Sequence, residues 1–191
     1  MTRPIVTLLG DSISAGYGLR ASEALPVRLQ AAVAACGVDI KVVGAGVSGD
    51  AIRDGLRRLD RSVAKETTLC VVALGANDLM QSIPLERMRA DLDAILARLR
   101  ARSIPVLLCG MRAPPWLGAR AQAFDAVFHD AARAHGVALY PFLLEGVALN
   151  PMLSLADRIH PNARGIEIIA RNLAPHVIAA LRPAVADLSQ A

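Results

Sequence analysis

Apolar residues fall into short, nearly unbroken runs separated by longer stretches in which apolar and polar positions interleave. The runs are Ile5 to Leu9, Ile40 to Val43, Leu69 to Leu74, Val106 to Cys109 and a short Val137 to Tyr140. Such runs, bounded by turn residues, predict strands buried on both faces. The interleaved stretches predict helices over Leu25 to Cys36, Ala51 to Val63, Pro84 to Arg102, Ala119 to His135 and about Asn162 to Leu181. Ile52, Leu56, Leu59 and Val63 are spaced by three or four, as are Met88, Leu92, Ile95 and Leu99, so each set forms one helix face. Asp50 is expected to cap the second helix. Pro84 and Pro161 are expected to open the third and the last, and Gly37 and Gly136 follow helix ends. Pro175, inside the last helix, is expected to kink it or split it in two. Strands alternating with helices predict an α/β fold with a parallel sheet covered on both faces. No repeat, low-complexity tract or second-domain boundary interrupts residues 1–183, which are expected to form a single domain. Residues 184–191 are expected to be a loose end.

Composition narrows the classes of function. Of 191 residues, 54% are hydrophobic and 20% charged, as in a globular chain. Aromatic residues make up only 3%, too few for a stacking platform on single-stranded nucleic acid. The net charge is +4, and the arginines are scattered rather than massed, so they are expected to be solvated surface and no nucleic-acid partner is expected. Cys36, Cys70 and Cys109 lie in or beside apolar segments without a CxxC pair, which predicts buried free thiols and no zinc or redox motif. No apolar run approaches the ~20 residues that span a bilayer. The first strand begins almost at Met1, so no leader is expected ahead of it. The chain as written would be cytoplasmic, and exported if a leader had been removed.

Candidate chemistry sits where strands stop. The first ends at Gly10-Asp11-Ser12-Ile13-Ser14, placing a serine hydroxyl at the carboxyl edge of the sheet, where open α/β sheets bind ligands. A plain alternative is that Asp11 or Ser12 only caps a helix. The second is followed by Gly44-Ala45-Gly46-Val47-Ser48-Gly49-Asp50, a loop whose backbone N–H groups can approach a ligand closely, or merely a tight turn. The third delivers Gly75-Ala76-Asn77-Asp78. The Asn77 amide can hold developing negative charge without titrating, although an Asn-Asp turn needs no function. Near the end comes Asp157-Arg158-Ile159-His160-Pro161. Histidine is the usual general base near neutral pH, and an aspartate three residues earlier can reach it and fix its tautomer. His129, His135 and His176 lack such a neighbour and are expected on helix surfaces or ends. A nucleophile, a base, an orienter and N–H donors are the parts of acyl transfer. No metal-ligand spacing, Walker loop or dinucleotide fingerprint competes, and no cofactor is expected. The serine does not lie in a G-x-S-x-G elbow, so the common α/β-hydrolase pattern does not apply.

Gly10-Asp11-Ser12-Ile13-Ser14, Ser48-Gly49-Asp50, Gly75-x-Asn77-Asp78 and Asp157-x-x-His160-Pro161 stand in the order of the blocks of the SGNH (GDSL) hydrolases, and the chain resembles that family over nearly its whole length. Gly10 to Tyr17, Met111-Arg112-Ala113-Pro114 and Tyr140-Pro141-Phe142 resemble its small bacterial thioesterase, lysophospholipase and arylesterase type. The resemblance implies a three-layer α/β/α sandwich, flavodoxin-like, with a five-stranded parallel sheet. It implies Ser12 as nucleophile, His160 as base and Asp157 as its orienter. The Ser12 N–H, the Gly49 N–H and the Asn77 side chain would form the oxyanion hole. The implied substrate is a small-molecule ester or thioester. Gly44 stands where relatives often carry asparagine, and Ala76 where many carry a second glycine, which would stiffen the loop from Gly75 to Met80. Two other readings stand beside this one. They are a carbohydrate acetylesterase of the same family and a non-catalytic, flavodoxin-like module whose glycine loops hold an anion.

Overall fold

A computed structural model of the chain describes residues 3–188, with side chains described through residue 181. Strands β1 (Ile5–Gly10), β2 (Lys41–Gly46), β3 (Leu69–Ala73), β4 (Val106–Cys109) and β5 (Ala138–Tyr140) form one sheet in the order β2-β1-β3-β4-β5. Every pairing is parallel. In chain order the helices are α1 (Ser12–Ala15), α2 (Leu25–Ala35), α3 (Ile52–Arg57), α4 (Leu59–Ser62), α5 (Ala76–Met80), α6 (Leu85–Ala101), α7 (Ala119–His135) and α8 (Ala163–Leu188). The chain steps from β1 outward to β2, then returns across β1 to β3 and proceeds to β5. Right-handed crossovers then put α2 on one face and α3, α6 and α7 on the other. The packing follows that rule: α8 lies against α2, and α6 lies between α3 and α7. This is the three-layer α/β/α arrangement expected from the sequence.

The reversal of direction leaves a crevice at the carboxyl ends of β1 and β3. Register makes the crevice usable. Gly10 pairs with Gly46 on one side and Ala73 on the other, so three strands end level and their following loops emerge in a row. β3 is wholly buried, as its unbroken apolar run predicts. On α6, Met88, Leu92, Ile95 and Leu99 are at most 1% exposed. Each such side chain contributes ~1.5–3 kcal/mol relative to exposure.

β2 continues past the expected Val43 to Gly46, and its small residues have a packing reason. A Cβ on Gly46 would lie 2.3 Å from the Ala15 nitrogen and 2.8 Å from the Asp11 carbonyl oxygen. A Cβ on Gly44 would lie 2.8 Å from Cγ of Pro26. α1 and α2 thus press against this strand so closely that only glycine fits.

Several expectations are corrected. The helix expected over Ala51 to Val63 is two helices, α3 and α4, meeting at Arg58. Asp50 does not cap it: Asp54 accepts the Ala51 N–H instead, and Asp50 pairs with Arg58. Pro161 does not open α8, because it bridges Ser154, and the Asn162 side chain caps the helix by accepting the Gly165 N–H. Of the two outcomes expected at Pro175, a kink or a split, the split does not occur: α8 runs unbroken through it. Pro175 and Arg171 are both exposed, so water can serve the carbonyl that loses its partner. The helix passes the expected end near Leu181 and reaches Leu188; of the expected loose end at 184–191, residues 189–191 lie outside the described residues. Cys70 and Cys109 are buried free thiols, whereas Cys36 is exposed at the end of α2. Among the described residues no helix is long and apolar enough to cross a membrane.

Candidate active site

Ser12 is the first residue of α1, directly beyond β1, and is 8% exposed. Asp11 caps the helix by accepting the Ile13 N–H at 3.0 Å, so the capping reading of this block holds for Asp11 while the Ser12 hydroxyl remains available. That hydroxyl lies 2.9 Å from Nε2 of His160, a residue 148 positions away in sequence.

His160 ends a tight loop. Ser154 pairs with Pro161, and the Leu155 N–H donates to the His160 carbonyl at 2.8 Å. Arg158 takes a left-handed φ of 60°, which turns the chain back within the loop. Asp157 Oδ1 accepts the N–H groups of Ile159 and His160 at 2.9 and 3.0 Å. Its Oδ2 lies 2.7 Å from Nδ1 of His160. These bonds from the His160 and Ile159 backbone and the His160 ring hold the Asp157 carboxyl down to about 2, so it is an anion at any working pH. An anionic acceptor takes the Nδ1 proton and leaves Nε2 to accept from the Ser12 hydroxyl. The Tyr17 ring packs on the other side of the imidazole, with ring centroids 4.4 Å apart. The imidazole is therefore fixed by a hydrogen bond at each nitrogen and by a neighbouring ring.

The loops after β2 and β3 face Ser12. Gly49 has a φ of +87°, a conformation other residues adopt only with strain, and a Cβ there would meet nothing within 4 Å. Among the described residues its N–H has no hydrogen-bond partner. Residues 76–80 form α5 rather than a loop, with Gly75 at φ +123° turning β3 into it. Asn77, in its first turn, donates one Nδ2 hydrogen to the Asp50 carbonyl at 3.0 Å. Nδ2 also lies 3.5 Å from Asp11 Oδ2, a long contact that an incoming oxygen can displace. Burial pushes the Asp11 carboxyl up to about 6, against the Ile13 N–H and the nearby His160, which lower it. Asp78 points elsewhere, accepting the Ile52 N–H at the start of α3, and burial also raises it to about 6.

These groups open into a cleft of about 380 Å³ lined by Ser12, Gly49, Asn77 and His160 together with Tyr17, Met80, Leu144 and Ile159. Asp157 stands behind His160. All five residues singled out from the sequence thus lie at one place. A larger cavity of about 550 Å³ lies at the amino ends of β4 and β5, beside His135 and His176, far from Ser12 in the sheet. His135, at the end of α7 as expected, has a carboxylate neighbour from another helix, Asp93 of α6 at 3.1 Å, and His176 packs on the Tyr140 ring. Among the described residues no group of three or more His, Cys, Asp or Glu could hold a metal ion.

Sequence reasoning missed Tyr17 and Arg58. Tyr17 gave no signal beyond its place in the first block. Arg58 is not solvated surface: it is only 5% exposed, and its Nε lies 2.6 Å from Asp50.

The GDSL-like lipase/acylhydrolase family model matches residues 8–168. Esterase TesA of Pseudomonas aeruginosa is 38% identical over 156 residues, covering 81% of this chain and 78% of that protein. Thioesterase 1/protease 1/lysophospholipase L1 of Escherichia coli K12 is 35% identical over 165 residues, covering 85% of this chain and 78% of that protein. The crystal structure of a TesA superposes with a TM-score of 0.85 at 35% identity, over 94% of this chain and 99% of that one.

Proposed function

The chain belongs to the GDSL-like lipase/acylhydrolase family, the SGNH serine hydrolases, and we propose that it cleaves carboxylic esters or thioesters through an acyl intermediate on Ser12. One observation supports this above all. Ser12 Oγ, His160 and Asp157 form an unbroken chain of hydrogen bonds of 2.9 and 2.7 Å at the floor of an apolar-walled cleft. An anion-binding module needs no such chain.

The Ser12 hydroxyl passes its proton to His160 Nε2 as Oγ attacks the substrate carbonyl carbon. Asp157 keeps Nδ1 protonated and stabilises the imidazolium that forms. The carbonyl oxygen becomes an oxyanion and accepts from the Ser12 and Gly49 N–H groups and from Asn77 Nδ2, displacing the long contact to Asp11. Collapse expels the alcohol or thiol, which takes its proton from His160. A water then gives its proton to the same nitrogen and attacks the acyl carbon. The carboxylic acid leaves, and Ser12 recovers its proton.

Tyr17, Met80 and Ile159 at the cleft are 52%, 59% and 55% exposed. Apolar walls suit an acyl or aryl group better than a sugar ring, which favours the esterase reading over the acetylesterase one. The test is a panel of p-nitrophenyl esters of increasing chain length beside acyl-CoA thioesters and acetylated sugars. Turnover of the esters or thioesters is expected. Turnover confined to acetylated sugars would move the assignment to the acetylesterase.

The pH profile tests the Asp157–His160 pair. His160 must be neutral to accept a proton, so kcat/KM rises with pH to a plateau. Asp157 holds the Nδ1 proton of the ring at 2.7 Å, so Asp157→Asn, which no longer fixes that tautomer, is expected to lower the plateau. Superimposable profiles would remove Asp157 from its role.

A further inference from the structure

Arg58 sits at the joint between α3 and α4, with its side chain turned into the interior. Nε donates to Asp50 Oδ2 at 2.6 Å. Nη1 donates to the Ala45 carbonyl at 2.9 Å and to Ser62 Oγ at 3.1 Å. Nη2 donates to the Gly10 carbonyl at 2.8 Å. Only Ser62 is a neighbour on the same pair of helices. Gly10 ends β1, Ala45 is the last residue but one of β2, and Asp50 lies at the close of the loop that carries Gly49. The Asp50 carbonyl in turn accepts the Asn77 Nδ2 hydrogen at 3.0 Å.

We propose that Arg58 is a positioning residue for the oxyanion hole, holding in one frame the three segments that carry Ser12, Gly49 and Asn77. The inference rests on the acyl-transfer reading. A buried ion pair adds little net stability over well-packed apolar residues of the same volume, so stability does not explain this one. A planar guanidinium adds fixed directions: from three nitrogens it serves the Gly10 and Ala45 carbonyls, the Asp50 carboxylate and Ser62 Oγ at once, four acceptors against the three donors that a lysine ammonium carries on one nitrogen. Oxyanion donors act only if aimed before the charge develops, and a tolerance of ~0.5 Å decides whether they do. Arg58 reaches none of the reacting atoms. It acts through Gly10, Ala45 and Asp50.

The experiment compares kcat and KM on a p-nitrophenyl ester for wild type, Ser12→Ala, Arg58→Lys, Asn77→Ala and the Arg58→Lys/Asn77→Ala double variant, each checked for a cooperative thermal transition. Arg58→Lys is expected to lower kcat by ~10- to 100-fold, the scale of a small misplacement, with KM nearly unchanged. In the double variant the loss is expected to fall short of the product of the single losses by at least ~3-fold, because both changes disable one device. A simple product, or an Arg58→Lys kcat equal to wild type, would overturn the proposal. If Arg58→Lys lacks a cooperative transition, the same cycle is run with Asp50→Asn, which keeps the shape and the carbonyl but removes the charge Arg58 grips, and the same outcomes decide. Ser12→Ala keeps the two levels apart: wild type no faster than Ser12→Ala would remove the acyl-transfer reading and this inference together.

Discussion

Ser12→Ala is expected to fold as wild type and to lose its turnover of a p-nitrophenyl ester by roughly 10⁴-fold or more, the scale on which a triad fails when its nucleophile is deleted. Deleting one oxygen removes only its hydrogen bond to His160 and leaves the Asp11 cap of α1 in place. One such bond is worth ~0.5–1.5 kcal/mol. In a chain of this size that moves the melting temperature by only a few degrees, about 2–4 °C per kcal/mol. No second nucleophile takes over: Ser48 and Tyr17 also line the cleft, but His160 Nε2 bonds Ser12 alone among the described residues. Initial rates and a thermal melt on the same preparation check both halves. A rate within ten-fold of wild type would exclude Ser12 as nucleophile.

Asn77→Ala is expected to lower kcat by about 10²–10³-fold with little change in KM. One preorganised oxyanion donor is worth ~3–4 kcal/mol, and its bond is realised when the carbonyl oxygen becomes charged. In the resting site Nδ2 has only one short partner, the Asp50 carbonyl, and a 3.5 Å contact to Asp11 that costs little to replace. A full kinetic comparison with wild type is the check. An unchanged kcat with a raised KM would place Asn77 in substrate binding instead.

The layers and the site were legible in the sequence to different depths. Continuous apolar runs marked the strands because both sheet faces are covered, and β4 and α7 fall on their expected bounds. The end of β2 was hidden because Gly44, Ala45 and Gly46 read as a loop, while the two glycines reflect the pressure of α2 and α1. Proline signals were ambiguous for a related reason: at Pro175 exposure decides whether a lost hydrogen bond matters, and periodicity did not reveal that. The four motif blocks named the site, since each follows or closes an element at one sheet edge. What joins Ser12 to His160 across 148 positions is tertiary and had no local signal. Arg58 shows the limit plainly. On a helix with apolar residues every three or four positions an arginine reads as solvent-facing, and only the level ends of β1 and β2 reveal carbonyls for it to bind. Asp50, read as a cap, was its partner.

The most direct measurement is covalent labelling with an organophosphonate that carries a p-nitrophenolate leaving group, followed by intact mass and peptide mapping. The phosphonyl group mimics the tetrahedral oxyanion, so it reports nucleophile, base and oxyanion hole together. One adduct per chain on the Ser12 peptide is expected, with p-nitrophenolate released in equal amount and ester hydrolysis lost in proportion. The adduct should be absent from Ser12→Ala. An adduct on another residue, or ester hydrolysis that survives full exposure to the reagent without any adduct, would contradict catalysis through Ser12.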